Sequence, residues 1–174
     1  MVEIYKTDNK VLQKLDNIEE GCWVNMIDPT SSELSLVSGY FEIDLADLAT
    51  ALDEEESSRI SLEDGYTLIL VDIQTPEVRH EKKMYTTIPL GIILKNDAII
   101  TICREDTPVL NYFVRNKLKE FSTKKKMRFI YEMMFRSAML YQAYLRGIAR
   151  IVTGILERFH KECLLGIAVT TMIS

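Results

Sequence analysis

Alternation of hydrophobic and polar positions predicts a β-sheet in the middle of this chain. Three segments are rich in β-branched and aromatic residues: Tyr66–Ile73, Met84–Leu94 and Ala98–Cys103. The first and third combine period-two alternation with nearly continuous apolar residues, which is typical of strands covered on both faces. The short polar segment Lys95–Asp97 can close a hairpin between the last two. These strands indicate the covered sheet of an α/β domain.

Shorter patterns predict further strands on either side of this region. Val2–Lys6, Val11–Leu15 and Cys22–Ile27 are short apolar runs bounded by polar turns. The segment Ile60–Leu62 alternates before the turn residues Glu63–Gly65, which favours a hairpin with the strand that follows. The sheet is therefore expected to extend beyond its three central strands.

Two helices are predicted between these strands. Thr30–Glu33 (TSSE) has the spacing of a capping box, in which the threonine hydroxyl and the glutamate carboxylate each accept from the other residue's amide, so a helix of about two turns should follow. Asp44 can cap a second helix over Leu45–Leu52. Asp47 lies in its first turn, where a carboxylate favours the positive end of the helix dipole.

Two polar segments are predicted to be exposed loops. Thr75–Lys83 contains Pro76 and the charged sequence VRHEKK, so we expect it to join two strands without regular structure. The acidic run Asp53–Glu56 is more typical of a solvated loop or helix end than of a cation site.

A long helix is predicted near the end of the chain. Thr107 and Pro108 mark the start of a shorter helix that should run to Phe121, and Ser122 or Thr123 should cap the long one. Forty helical residues extend about 60 Å, about twice the width of a small domain. The first half is expected to cover the sheet and the second half to meet another helix or subunit. Apolar residues recur there at steps of three and four: Met127, Ile130, Met134, Ala138, Tyr141, Leu145, Ile148, Val152, Ile155 and Phe159.

These elements divide the chain into three predicted parts. Residues 1–122 form an α/β/α sandwich with a mixed sheet between helix layers, and 123–163 form the long helix, as the start of a stalk. Residues 164–174 (LLGIAVTTMIS) are apolar and lack the charged heptads of a stalk. We expect this tail to be truncated, altered or packed back on the domain. No stretch reaches the roughly 20 apolar residues of a transmembrane helix.

Composition and charge exclude several function classes. The 174 residues suit one domain, and the net charge of −5 argues against nucleic-acid binding, which needs a basic face. The basic cluster Lys124–Lys126 is short and is interpreted as a solvated first helical turn. Three distant cysteines, Cys22, Cys103 and Cys163, suggest neither a disulfide framework nor a paired metal motif. A reducing compartment fits best.

Catalytic motifs are absent from the sequence. It contains no glycine-rich phosphate loop, no GxSxG elbow and no HExxH. His80 and His160 are interpreted as surface histidines and Cys103 as a small core residue. The sequence therefore does not favour an enzyme.

Four segments precede the long helix in this order: GCWVNMIDPTSSE, FEIDLADLATALDEEESSR, YTLILVDI and YTTIPLGIILKNDAIITIC. They resemble, in order and spacing, the N-terminal cytoplasmic domain of the CorA family of divalent-cation transporters, in particular its Gram-positive branch, over Val2 to about Lys161. The resemblance implies passive conduction of hydrated Mg2+ through a homopentameric pore, with the cytoplasmic domains on the inner face of the membrane sensing metal. The pore helices and the Gly-Met-Asn signature should follow the stalk and are not in the printed sequence.

The resemblance also implies one regulatory metal ligand. In CorA-like proteins an aspartate in the corresponding short helix binds regulatory metal at the subunit interface, and the pattern Leu45-Ala46-Asp47-Leu48 matches that place. Asp47 is therefore the candidate Mg2+ ligand, with its partner carboxylate unassigned. The alternative is that Asp47 only stabilises a helix start. Alternatives for the whole chain are a stand-alone soluble binding or adaptor domain, or a relative that transports Zn2+ or Co2+.

Overall fold

The computed structural model of the protein describes residues 1–79, 82–115 and 121–173, with side chains omitted at 77–79, 82–85 and 161–173. Within these residues the chain forms seven strands and four helices. The strands are β1 (Val2–Asp8), β2 (Val11–Leu15), β3 (Cys22–Ile27), β4 (Arg59–Glu63), β5 (Tyr66–Arg79), β6 (Lys82–Leu94) and β7 (Ala98–Cys103). The helices are α1 (Ser31–Phe41), α2 (Leu45–Thr50), α3 (Pro108–Val114) and α4 (Lys126–Ile173).

All seven strands form one mixed sheet in the order β2-β1-β3-β7-β6-β5-β4. The central pair, β3 and β7, is parallel, with Asn25 opposite Thr101. The other neighbouring pairs are antiparallel. The predicted hairpin at residues 95–97 is confirmed, because the Lys95 amide donates to the Ala98 carbonyl at 3.0 Å.

Helices cover both faces of this sheet, which confirms the predicted α/β/α fold class. On one face, α1 and α2 bury Leu34, Val37 and Leu48 against apolar side chains of the central strands. On the other face, the Trp23 ring packs edge-on against Phe113 of α3 and Phe129 of α4, at centroid distances of 6.5 and 5.0 Å. Strand β3 contributes side chains to both faces because successive residues along a strand point in opposite directions.

Two predicted helix caps and one predicted helix start are confirmed. The Glu33 amide donates to the Thr30 hydroxyl at 3.3 Å and the Thr30 amide donates to the Glu33 carboxylate at 2.8 Å, which completes the capping box. Asp44 accepts from the Ala46 amide at 2.9 Å. Thr107 accepts from the Leu110 amide at 3.3 Å. Each cap satisfies an amide that the first helical turn leaves without a partner.

The prediction of a loop at Thr75–Lys83 is wrong. There β5 and β6 continue as one antiparallel ladder to the pair Arg79 and Lys82. Pro76 is tolerated because β4 pairs with β5 only as far as Leu70, so the later part of β5 has a free edge where no amide donor is needed. Polar composition was misleading because a two-stranded ribbon can be solvated. His80 lies outside the described residues.

Several helix boundaries also differ from the prediction, including the end of α2, which lies at Thr50 and not at Leu52. Helix α3 ends at Val114 instead of running to Phe121, with residues 116–120 outside the described part. Neither Ser122 nor Thr123 caps α4, which begins at Lys126. Instead Thr123 and Thr7 exchange hydrogen bonds, each hydroxyl accepting from the other residue's amide, at 3.2 and 3.0 Å. The hydroxyl that suits a cap is therefore used to join α4's leading segment to β1.

The chain divides into two compact units, residues 1–137 and 138–174. Helix α4 contributes 126–137 to the first unit and continues to Ile173, past the predicted end at 163. In the second unit the repeating apolar side chains at Leu145, Ile148 and Val152 are 61, 47 and 48 % exposed. None of the described helices combines the length and hydrophobicity of a membrane-spanning segment.

Candidate metal-binding site

Helix α2 is held close against the sheet. Leu48 on its inner side and Ala51, the residue that caps its end, are fully buried. A Cβ placed on Gly91 of β6 would lie 2.5 Å from the Ala51 Cβ, so the helix can approach this closely only because position 91 has no side chain. This packing places Asp47, on the other side of the first turn, at the half-exposed surface.

The Asp47 carboxylate is bound by a tyrosine from the sheet. Tyr66, the first residue of β5, donates its hydroxyl proton to Oδ2 of Asp47. The same hydroxyl accepts from the Asp44 amide at 3.3 Å. Burial and the hydrogen bond to Asp47 raise the pKa of Tyr66 to about 12. Tyr66 therefore remains protonated at neutral pH and donates to Asp47.

The other carboxylate oxygen of Asp47, Oδ1, is the candidate ligand atom. Oδ1 has no hydrogen-bond partner among the described residues. Mg2+ retains several waters and needs only one or two carboxylates, so one such oxygen can serve as a ligand. The described part of the chain contains no group of three histidine, cysteine or acidic side chains arranged to hold a metal.

The acidic run after α2 is a loop with ion pairs, which confirms the interpretation of it as a loop. Glu54 accepts from Arg104 at 2.7 Å, and Glu56 is paired with Arg59. Asp53 accepts from the amide of Glu55 at 3.0 Å. Three of the four carboxylates in this run therefore already have partners.

The described cysteines and histidine do not form a reactive group. Cys22 and Cys103 are fully buried, and burial raises the pKa of both thiols, that of Cys103 to about 11. Cys103 is thus a core residue, as predicted, and its thiol donates to the Pro89 carbonyl at 3.5 Å. His160 is exposed on α4.

Comparison with known proteins identifies the family. The family model described as "CorA-like Mg2+ transporter protein" matches residues 19–163. The chain belongs to this CorA-like family. The cobalt/magnesium transport protein CorA of Methanocaldococcus jannaschii is 28% identical over 136 residues, which cover 76% of this chain and 40% of that protein. The chain thus spans less than half the length of this relative.

Solved structures share the fold of the CorA-like chain. The soluble domain of CorA from Methanocaldococcus jannaschii aligns with a TM-score of 0.65 at 23% identity, over 84% of this chain and 60% of that one. The complete CorA magnesium transporter of the same organism aligns with a TM-score of 0.62 at 22% identity, over 84% of this chain and 48% of that one. The full-length CmaX protein aligns with a TM-score of 0.62 at 12% identity, over 85% of this chain and 47% of that one. The Gram-positive branch stays a prediction.

Sequence reasoning placed Asp47 correctly on α2 but missed Tyr66 as its partner. Tyr66 was recognised as the start of a strand. Its contact with α2 depends on where the helix packs on the sheet. Tyr66 and Asp47 are 19 residues apart in the sequence. No local pattern carries that information.

Proposed function

We propose that this chain is the cytoplasmic, metal-sensing domain of a CorA-like transporter of Mg2+ or a related divalent cation. The observation that carries the proposal is the family match over residues 19–163. The sensing domain would regulate a homopentameric channel formed by membrane helices outside residues 1–174. A downstream sequence without hydrophobic spans would contradict the transporter and favour a stand-alone adaptor domain.

Asp47 is the proposed ligand of the regulatory cation. Its half-exposed carboxylate lies at the start of α2, and a subunit interface could bring a second carboxylate opposite it. Two unpaired carboxylates repel each other, and a divalent cation between them replaces repulsion with attraction. Bound metal would then hold neighbouring domains together, and its loss would loosen the ring. Helix α4, with its exposed apolar side chains, is proposed to begin the stalk and to meet a further helix or subunit.

Thermal unfolding with added MgCl2, at an ionic strength matched with NaCl, tests the site. Binding to the folded state alone contributes about 2.7 kcal/mol at a concentration about 100 times Kd. Asp47→Asn should abolish this increment while keeping an oxygen that accepts from Tyr66. Asp44→Asn removes the same charge three residues earlier and retains capping ability, so it should keep the increment.

The oligomeric state provides the second readout. Sedimentation velocity should show Mg2+-dependent association that Asp47→Asn weakens and Asp44→Asn leaves intact. Equal increments in both variants, or none in the parent protein, would exclude Asp47 as a ligand. CoCl2 should be tested in parallel, because the relative from Methanocaldococcus jannaschii is named as a cobalt/magnesium transport protein. A larger response to cobalt would favour that cation as the sensed ligand.

A further inference from the structure

The two oxygens of the Asp47 carboxylate are held differently by the fold. Oδ2 accepts a hydrogen bond from the Tyr66 hydroxyl, whereas Oδ1 has no hydrogen-bond partner among the described residues. A carboxylate can coordinate a cation through one oxygen or through both. A cation that takes both oxygens of Asp47 therefore competes with the tyrosine hydroxyl for the electron pairs of Oδ2, whereas a cation on Oδ1 alone does not.

The Tyr66 hydroxyl is itself fixed on both sides. Its proton is donated to Asp47, and its oxygen accepts from the Asp44 amide at 3.3 Å. The ring packs against the apolar core beneath α1 and α2, and Tyr66 pairs with Glu63 at the turn between β4 and β5. A hydrogen bond to an ionised acceptor is stronger than a neutral one. Removing the hydroxyl from Oδ2 therefore costs a charge-assisted hydrogen bond.

Packing also fixes the helix that carries Asp47. Leu48 and Ala51 are fully buried, and a Cβ on Gly91 would lie 2.5 Å from the Ala51 Cβ. The helix and the strand that begins at Tyr66 are thus both anchored in the core, so the carboxylate is oriented before a cation binds. Hydrogen-bond partners of a ligating side chain determine which of its atoms faces the metal.

Mg2+ and Ca2+ differ in how they use a carboxylate. Mg2+ is small, keeps several waters in a strict octahedral shell and is satisfied by one oxygen of a carboxylate. Ca2+ is larger, takes roughly six to eight oxygens and accepts both oxygens of one carboxylate. A hydrogen bond that occupies Oδ2 therefore opposes Ca2+ more than Mg2+.

We propose that Tyr66 is a specificity-determining positioning residue, which restricts Asp47 to one coordinating oxygen and so disfavours Ca2+ relative to Mg2+. This inference rests on the proposed role of Asp47 as a cation ligand and adds to it the choice of cation. Tyr66 acts through the carboxylate and not by contact with the cation. Removal of its hydroxyl should therefore change the affinity for Mg2+ little and raise the affinity for Ca2+.

Thermal unfolding at a series of MgCl2 and CaCl2 concentrations, with ionic strength matched by NaCl, gives the affinity for each cation. Tyr66→Phe should raise the ratio of Ca2+ affinity to Mg2+ affinity at least about fivefold. This factor corresponds to about 1 kcal/mol, the usual net value of one hydrogen bond. A purely structural role of the hydroxyl would weaken the binding of both cations alike and leave the ratio unchanged.

Two further variants serve as controls. Combining Asp47→Asn with Tyr66→Phe should remove the gain in Ca2+ binding, because the gain arises at this carboxylate. Tyr5→Phe removes another hydrogen bond between a tyrosine and a carboxylate, that from Tyr5 to Glu3 at 2.8 Å, and should leave the ratio unchanged. Tyr5 packs on Trp23, on the face of the sheet opposite α2. Circular dichroism of every variant establishes that the fold is retained.

The possible outcomes separate the role of Tyr66 from that of Asp47. A Mg2+ increment that requires Asp47, together with the predicted change in the ratio, supports the specificity role. The same increment with an unchanged ratio in Tyr66→Phe, or with an equal change in Tyr5→Phe, overturns that role and leaves Asp47 as the ligand. No increment in the parent protein overturns both.

Discussion

The hydroxyl of Tyr66, at the start of β5, donates a hydrogen bond to the carboxylate of Asp47 on α2. The same oxygen accepts from the Asp44 amide, so one side chain of the sheet contacts both the cap and the first turn of the helix. The carboxylate that we propose as a metal ligand is therefore held in place by the domain's own core. A change at Asp47 should therefore alter the stability of α2.

Replacing Tyr66 with phenylalanine should lower the free energy of unfolding at neutral pH by about 1–3 kcal/mol, because the hydroxyl donates to the charged Asp47 carboxylate and accepts from the Asp44 amide. The ring still packs, so the loss reports the hydroxyl alone. Chemical denaturation measures the difference. If Asp47 binds Mg2+, the increment from added metal should persist in this variant, because the charged ligand remains.

The Tyr66 hydroxyl also makes stability depend on alkaline pH. Its pKa rises from 10.0 to about 12 on folding, so the folded state holds the proton more tightly. The stabilisation is complete below pH 10.0 and is lost as pH rises towards about 12. Denaturation across this range should show a smaller decline for Tyr66→Phe than for the parent. Some decline should remain, because burial and a hydrogen bond to Glu3 also raise the pKa of Tyr5. Identical slopes would contradict the assignment.

Two glycines should respond in opposite ways to alanine. At Gly91 the new Cβ would lie 2.5 Å from the Cβ of Ala51, so α2 must shift, and overpacking of this kind costs about 1–3 kcal/mol. At Gly39 on α1 a Cβ meets nothing within 4 Å, so alanine should stabilise the helix by about 0.5–1 kcal/mol. Melting temperatures of the two variants measure both effects. A tolerated Gly91→Ala would mean that α2 does not pack closely on β6.

A buried hydrogen-bond chain crosses the parallel strands. The Trp23 indole donates to the Thr101 hydroxyl at 2.8 Å, and that hydroxyl donates to the Asn25 side-chain oxygen at 2.9 Å. Thr101→Val should cost about 1–3 kcal/mol, because it leaves a buried donor and a buried acceptor without partners. Thr101→Ser keeps the hydroxyl and should cost less. Denaturation followed by the fluorescence of Trp23 compares them; equal losses would assign the effect to packing.

The finding that Ser122 does not cap α4 can be tested by comparing it with Thr30, which caps α1. Thr30→Ala removes the capping box of α1 and should cost about 1 kcal/mol. Ser122→Ala should change stability by less than about 0.5 kcal/mol, because among the described residues Ser122 is hydrogen-bonded through its carbonyl alone, to the Lys125 amide at 3.1 Å. Urea denaturation of both variants checks the contrast. A comparable loss at Ser122 would restore its predicted capping role.

Local structure could be predicted from the sequence wherever neighbouring residues determine the conformation. The capping box at Thr30–Glu33 and the strands β2, β3 and β7 follow from hydroxyl spacing and apolar runs, and the structure places them at the predicted residues. The family resemblance followed from the order of such segments. By contrast, the charged sequence after Thr75 suggested a loop, although pairing with a distant strand kept it extended.

What the amino-acid sequence determined by itself was the set of helices and strands, the sandwich class and the position of Asp47 in the first turn of α2. The tertiary structure alone decided that Tyr66 contacts Asp47, that Thr123 joins Thr7 instead of capping α4, and that Lys125 and Arg128 meet the β1–β2 turn. The physical reason is the range of the interactions. Caps and strand patterns depend on residues a few positions apart, whereas these contacts form only when the packing of helices on the sheet brings remote segments together.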